Sequence, residues 1–311
     1  MQASPTLTIG TRGSPLALAQ AHEVRERLVA AHGLAVNDIA IRVIKTTGDR
    51  VLDRPLAEIG GKGLFTKEIE DALLANEIDL AVHSMKDMQT ALPDGLIVGA
   101  TLPREDVRDA FISLKYRSLS DVPTGAVVGS SSLRRQAQLL NMRPDLTVIG
   151  FRGNVQTRLK KLEDGVAAAT FLAVAGLRRL KMQDRITAMI PTNQMLPAVA
   201  QGAIGIETRA EDARVARFVA PLNDAATAIA VAAERAFLKK LEGSCRTPIA
   251  GLAELRDGAL WFRGQVLSPD GKVSYTAQRS GAPQAASQLG VAAAEDILAQ
   301  ADPAILATVH S

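Results

Sequence analysis

Three times in this chain an apolar run ends in glycine, passes through small polar residues and enters a helical pattern. The turns are Ile9-Gly10-Thr11-Arg12-Gly13-Ser14, Val128-Gly129-Ser130-Ser131-Ser132-Leu133-Arg134-Arg135 and Ile149-Gly150-Phe151-Arg152-Gly153-Asn154. Repeated strand-to-helix alternation constrains the chain to a βαβ arrangement, with helices covering a sheet. Each turn presents free backbone N–H groups and the positive end of a helix dipole, with arginine alongside for bidentate pairing to carboxylate or phosphate. One such turn is ordinary helix punctuation, whereas three with arginine point to anion binding. The Ile-Gly-x-Arg-Gly echo at 9 and 149 is too short to establish a repeat.

Residues 7–10 read as a strand, and Ser14-Pro15 supplies an N-cap and first-turn proline for a helix to about residue 31, with Ala17, Ala21, Val24 and Leu28 on one face. The next strand is 39–44, and Thr66 caps a helix whose apolar face includes Ile69 and Leu73. Between them, residues 46–65 hold Gly60, Gly61 and Gly63 and few anchoring side chains, so a mobile lid is expected. Strand 80–83 runs straight into Ser84-Met85-Lys86-Asp87, placing polar groups at a strand's carboxyl end, where open α/β sheets bind ligands. After strand 97–100, the polar break Leu102-Pro103-Arg104-Glu105-Asp106 reads as a hinge into a second α/β domain. Its expected strands are 127–129, 147–150 and 167–172, with helices from Ser131, Asn154 and Ala173.

Residues 196–206 read as a loop and a strand returning to the first domain, and a long alanine-rich helix starts at Ala225. Beyond Cys245, an apolar run at 261–266, the turn Ser268-Pro269-Asp270-Gly271 and a β-rich run at 273–276 form an antiparallel hairpin, followed by a helix over about 284–299. The expected division is 1–102 with 203–220 as one α/β domain, 103–202 as a second, and 225–311 as a small α+β domain. Two α/β domains with a returning strand look like a periplasmic-type binding protein. The fold class is therefore α/β: two periplasmic-binding-protein-like domains with mixed sheets, plus a C-terminal domain with an antiparallel sheet. A binding protein of that kind holds a small anion and does no chemistry. The lack of room for a signal peptide and a third domain bearing a lone cysteine argue against that role.

Hydrophobic content of 47% with 22% charged residues suits a soluble globular chain, and aromatics at 3% make the core aliphatic. The longest apolar run, 166–177, is too short to span a bilayer, so a cytosolic location with no membrane contact is expected. One cysteine and four scattered histidines do not compose a zinc site, and no metal is expected. No GxxxxGK[ST] loop is present, and no GxGxxG lies in a strand-turn-helix setting. The net charge of +3 is unevenly spread, with eleven Lys/Arg against four Asp/Glu between Arg134 and Arg185. That stretch has almost no aromatic residues for base stacking and no nucleic-acid module, so a multiply carboxylated small molecule is the better candidate ligand.

Against this cation, Asp87 offers a carboxylate at a strand end. It either salt-bridges Lys86 or an arginine, or acts as a general acid/base that stabilises positive charge developing on a substrate. His83, closing an apolar strand, reads as a satisfied structural histidine. Cys245 is the only cysteine and cannot form an internal disulfide. Gly243 and Pro248 bracket it in a turn, and Arg246 beside it favours the thiolate. A free cysteine is otherwise a small buried hydrophobe, and context alone leaves both readings open.

Six motifs then occur in order: Thr11-Arg12-Gly13-Ser14-Pro15-Leu16-Ala17-Leu18, Gly60-Gly61-Lys62-Gly63-Leu64-Phe65, His83-Ser84-Met85-Lys86-Asp87, Ser131-Ser132-Leu133-Arg134-Arg135-Gln136, Arg152-Gly153-Asn154-Val155 and Gly243-Ser244-Cys245. Together they resemble the porphobilinogen deaminase (hydroxymethylbilane synthase) family over essentially the whole chain. The resemblance implies a cytoplasmic, monomeric enzyme that condenses four porphobilinogen molecules head to tail into hydroxymethylbilane, releasing four ammonia. It further implies a dipyrromethane cofactor held by a thioether, with Cys245 as the anchor and Asp87 as the catalytic carboxylate. By the same resemblance Lys86, Asp87, Ser132, Arg134 and Arg135 hold the cofactor. Arg12, Ser14, Arg152, Arg158 and Arg179 match positions that bind acetate and propionate groups, and Lys62 and Phe65 fall at the lid and beside the pyrroles. The chain departs from the family pattern with Met88-Gln89 where a hydrophobic residue and proline are usual, with Ala200 for a common glycine, and with Thr47 where some members have arginine.

Overall fold

The computed structural model describes residues 6–50, 63–243 and 247–302. In chain order the elements begin with β1 (Leu7–Thr11), α1 (Pro15–His32), β2 (Ile39–Val43), α2 (Thr47–Arg50), α3 (Lys67–Leu74), β3 (Leu80–Ser84) and β4 (Leu96–Thr101). There follow β5 (Asp109–Ile112), β6 (Val127–Gly129), α4 (Leu133–Met142), β7 (Thr147–Ile149), α5 (Val155–Glu163), β8 (Ala169–Ala173), α6 (Val174–Arg179) and β9 (Ala188–Ile190). The chain continues through β10 (Ile204–Arg209), α7 (Ala213–Val219), α8 (Ala225–Lys240), β11 (Ile249–Arg256), β12 (Ala259–Leu267), β13 (Ser274–Gly281) and α9 (Ala286–Gln300). It divides into two compact units, Met1–Arg104 with Ala203–Ala228, and Glu105–Gly202 with Ile229–Ser311.

The first unit holds one mixed sheet, ordered β2-β1-β3-β10-β4. β1 runs parallel to β2 and β3, and β10 lies antiparallel between β3 and β4. Both faces are covered, which is why β3 opens on the apolar run Leu80-Ala81-Val82. One face packs Leu7, Ile9, Leu80 and Val82 against Ala21, Val24 and Leu28 of α1. The other sets Ile78, Ala81 and Leu96 against Ile69 and Leu73 of α3. Helix α1 is capped at both ends, with Ser14 accepting the Ala17 N–H and Gly33 in the left-handed region at φ 64°.

The second unit contains a sheet of the same topology, ordered β7-β6-β8-β5-β9, in which β6 is parallel to β7 and β8 and β5 lies antiparallel between β8 and β9. In each sheet the antiparallel strand is the first to follow a crossing of the chain between units. The α/β class with mixed sheets is therefore as the sequence indicates. The shared topology makes β1 the counterpart of β6, and β2 that of β7. The Ile-Gly-x-Arg-Gly echo thus joins the turn after β1 to the turn after β7, which are not equivalent. Strands β5, β9 and β11 have no counterpart in the sequence reading, since β5 and β9 are only four and three residues long and carry no clear alternation.

The same unit carries a three-stranded antiparallel sheet, β11-β12-β13, one strand more than the expected hairpin. Phe237 of α8 meets Phe262 of β12 with ring centroids 5.0 Å apart. Gly290 of α9 lies against the backbone of α8, and a Cβ there falls 2.0 Å from the Ala233 carbonyl oxygen. Backbone atoms cannot rotate aside, so Gly290→Ala is expected to separate the two helices and cost about 1–3 kcal/mol. A lower midpoint in urea unfolding checks this.

Several boundaries move. The helix expected from Ser131 begins at Leu133, with Ser132 as N-cap accepting the Arg135 N–H. Thr66 occupies the N-cap of α3 but makes no capping bond, and the last helix starts at Ala286 after a short 3-10 turn at Pro283–Ala285. Within the expected lid, Thr47–Arg50 is helical, whereas Gly60, Gly61 and Lys62 lie outside the described residues. Ala200 adopts φ 59°, and its N–H donates to buried Glu234 at 2.5 Å. Among the described residues no single helix is long and apolar enough to cross a membrane.

Candidate active site

In the first unit the carboxyl end of the sheet forms a cleft of about 400 Å³, including its open mouth, lined by Arg12, Ser14, Gln20, Phe65, His83 and Asp87 among others. Each lining group has a local cause. The turn after β1 places Arg12, and Ser14 points inward because it caps α1, its Oγ 3.2 Å from the Ala17 nitrogen. The Arg12 guanidinium lies over the Phe65 ring at 4.2 Å from the centroid, a cation–π contact that fixes both side chains. A 3-10 turn over Met85–Asp87 follows β3 directly, tied by the Met85 N–H to the Ala203 carbonyl at 3.0 Å, and this turn carries Asp87 to an exposed position on the cleft. Ser84, at the end of β3, exchanges hydrogen bonds with Gln20 of α1 at 2.8 and 3.1 Å. Of the sequence-selected residues, Arg12, Ser14, Phe65 and Asp87 thus meet. Lys86 is half-buried in the same turn but does not line the cleft.

Gln89 packs over Gly63, whose φ is 76°: a Cβ on Gly63 falls 2.5 Å from Gln89 Nε2. Gln89 therefore makes a contact at the edge of the described segment.

In the second unit the turns after β6 and β7 lie side by side because these strands pair in parallel. Phe151 packs flat on Gly129, where a Cβ would fall 2.4 Å from the ring, and its N–H donates to Ser131 Oγ at 2.8 Å. Two helix starts, α4 capped by Ser132 and α5 capped by Asn154, are thereby brought together with their positive ends on one side. Arg152 and Arg158 sit half-buried in the second turn and the first turns of α5, the Arg158 Nε donating to the Gly153 carbonyl at 2.9 Å. Arg179, at the end of α6, donates to the Gly202 carbonyl at 2.9 Å.

Arg134 and Arg135 differ from the solvent-facing cations that helix-start position suggests. Both are buried and turn onto Asp109 of β5. Arg134 Nη1 is 2.8 Å from Asp109 Oδ2, and Arg135 approaches Oδ1 through Nη2 at 2.7 Å and Nε at 3.1 Å. The Leu196 and Phe171 carbonyls accept further bonds from Arg134 and Arg135, and Gln201 donates to Asp109 Oδ1 at 2.9 Å. Burial alone would raise the Asp109 carboxyl, but the two guanidiniums outweigh it and hold it well below the usual range. Burial makes Arg134 a weaker base than usual, with Asp109 opposing. Two guanidiniums on one carboxylate leave a net single positive charge beneath the start of α4. Arg134 Nε is buried with no hydrogen-bond acceptor among the described residues.

Sequence reasoning did not find Asp109, Gln201, or the partner of His83. That partner is Glu207 of β10, whose Oε2 is 2.9 Å from His83 Nε2, with both side chains buried. The expectation of a satisfied histidine is met, by a carboxylate 124 residues away. Cys245 lies outside the described residues.

One α/β unit thus sets an exposed carboxylate and an arginine in a cleft, and the other pairs two helix starts whose positive ends suit anionic groups of a small molecule. Residues 7–217 match the family described as porphobilinogen deaminase, dipyromethane cofactor binding domain, and residues 228–299 match the porphobilinogen deaminase C-terminal domain. The chain belongs to the porphobilinogen deaminase family, as its motifs imply. It is 62% identical over 295 residues to the porphobilinogen deaminase of Paracoccus denitrificans, covering 95% of this chain and 94% of that one. The Nitrobacter hamburgensis protein is 57% identical, covering 93% and 92% of the two chains, and the chloroplastic protein of Pisum sativum 54%, covering 96% and 82%. Among solved structures, the methionine-binding protein MetQ gives a TM-score of 0.45 at 12% identity over 69% of this chain and 88% of that one. Lipoprotein Tp32 of Treponema pallidum gives 0.43 at 14% identity over 71% and 91%.

Proposed function

We propose that the protein is a transferase that joins four porphobilinogen molecules head to tail into hydroxymethylbilane, with loss of four ammonia, on a dipyrromethane cofactor. The observation that carries this reading is the exposed Asp87 carboxylate set among Arg12, Ser14 and Phe65 in one cleft of a chain matching the family from residue 7 to residue 217. When bound, the cofactor supplies the terminal pyrrole carbon to which the first substrate is joined. Its acetate and propionate groups suit this chain: in the second unit, Ser132 at the start of α4, the Arg134–Arg135–Asp109 triad with net positive charge and an Arg134 Nε with no acceptor among the described residues offer donors, and in the first unit Lys86 lies beside Asp87. Cys245 is the anchor by its motif and by being the sole cysteine. Substrate carboxylates are assigned to Arg12, Ser14, Arg152, Arg158 and Arg179, with Lys62 at the lid and Phe65 flanking the pyrrole ring.

Asp87 performs the repeated step. Loss of ammonia from the aminomethyl group leaves an electrophilic methylene on a pyrrole that is cationic while its nitrogen is protonated. A carboxylate within reach stabilises that cation and holds the pyrrole N–H. It then accepts the proton that leaves the attacking pyrrole carbon. The Arg12–Phe65 contact keeps a cation and a flat apolar surface together at the same wall. The enzyme works as a cytoplasmic monomer, with the two α/β portions as separate domains and residues 225–311 as a third that carries the anchor.

Intact mass spectrometry tests this reading. The purified protein should be heavier than its sequence by two pyrrole units. Porphobilinogen should then add species each one pyrrole heavier, with ammonia released in step. An active but unmodified protein would remove the cofactor from the account.

A further inference from the structure

Behind the cleft lies a group of ionisable side chains that this chemistry does not use. Register puts them on one face of the first sheet: Gly205 pairs with His83 and Glu207 with Ala81, so His83 and Glu207 both point toward α3. Glu70 of α3 projects onto the same place, and all three are buried. His83 also lines the cleft, as does Thr66 at the start of α3. Glu207 Oε2 bonds His83 Nε2 at 2.9 Å, while Glu207 Oε1 and Glu70 Oε1 are buried with no hydrogen-bond partner among the described residues. Two buried carboxylates, each with an unsatisfied oxygen, and one imidazole form a set that cannot all be ionised without large cost.

We propose that Glu70, Glu207 and His83 form a single proton-holding cluster under the cleft floor, and that these three are positioning residues for the Asp87 chemistry. The cluster keeps the end of β3, and hence the Met85–Asp87 turn hung from it, in register. A proton on Glu70 keeps that carboxyl neutral beside the Glu207–His83 pair, and its loss adds a buried negative charge there. Burial raises the Glu70 carboxyl above its usual range, the Thr66 hydroxyl and His83 oppose this, and Glu207 and Asp71 add to it. Other charges nearby are engaged elsewhere. On α3, Glu68 accepts from the Thr47 N–H and hydroxyl, and Asp71 pairs with Lys67. On β10, Arg209 is held by the Leu73 and Ile78 carbonyls and Asp212. β1 and β4 carry no titratable side chain. Among the charged neighbours Glu207 and His83 act most strongly on Glu70, and loss of its proton as pH rises adds an anion under the floor on which Asp87 works.

The role assigned here rests on the condensation reading of the cleft. In holoenzyme carrying the pyrrole adduct, kcat of the wild type is expected to fall as pH rises through the Glu70 titration, and Glu70→Gln is expected to abolish that limb. Glu207→Gln is expected to lower kcat about tenfold with KM changed less than about twofold, the mark of an interaction felt in the transition state. Superimposable pH profiles for wild type and Glu70→Gln, or an unaltered kcat in Glu207→Gln, overturn the proposal. A second measurement does not depend on turnover: ¹⁵N resonances of the His83 ring, assigned by their loss in His83→Gln, should shift with the Glu70 titration in the wild type and stay still in Glu70→Gln. A His83 ring that ignores that titration overturns the cluster. Failure of the condensation reading would instead show as a wild type with neither adduct nor ammonia release.

Discussion

Asp87→Asn is expected to keep its pyrrole adduct and bind porphobilinogen while losing about 10²–10⁴-fold in kcat, the range for a positioned acid/base group. The side chain is exposed on the cleft wall and sits on a turn fixed by backbone bonds and by β3, so the amide should occupy the same place without disturbing the fold. What it lacks is the negative charge that steadies the cationic pyrrole and the basicity to accept the departing proton. Cys245→Ser should behave in the opposite sense, folding but carrying no adduct. Ammonia release, substrate binding by isothermal titration and intact mass, measured on both variants, separate the two roles. Ordinary turnover in Asp87→Asn would take the repeated chemistry away from this residue.

The contrast between these two residues follows what sequence alone conveys. Features set by neighbours in the chain were legible: Ser14 capping α1, Asn154 capping α5, the polar turn after β3 that carries Asp87. Each depends on spacing of a few residues and on backbone chemistry that any reader of the sequence can apply. The pairings made across the sheets were not. His83 and Glu207 are 124 residues apart, and nothing in the apolar run of β3 or in Ile204-Gly205-Ile206-Glu207 announces that register will bring them together. Arg134 and Arg135 show a different failure. Their position at a helix start suggests cations facing solvent, but it does not say which way the first turn faces, and that is decided by Asp109 on a four-residue strand with no recognisable pattern. The echo at 9 and 149 is indeed no repeat: the correspondence between the two sheets lies in strand order, which so short a local similarity does not encode.

That same triad supports the strongest stability prediction. Asp109→Asn preserves shape but leaves two buried guanidiniums facing each other without a counter-charge. Removing one partner of a buried ion pair costs about 3–5 kcal/mol, against a total stability of roughly 5–15 kcal/mol for folded proteins. Urea unfolding followed by circular dichroism should show a large fall in midpoint, with the second unit affected before the first. The pH dependence has a definite sign. The Asp109 carboxyl is held below its unfolded value by the guanidiniums, so its contribution is fully present above the usual carboxylate range and is lost as pH falls through the lower folded value. Stability of the wild type should therefore rise with pH across the acid range, and Asp109→Asn should show a shallower rise because its amide does not titrate. A variant as stable as the wild type, or one with the same acid slope, would mean that the Leu196 and Phe171 carbonyls, rather than Asp109, hold the two arginines in place.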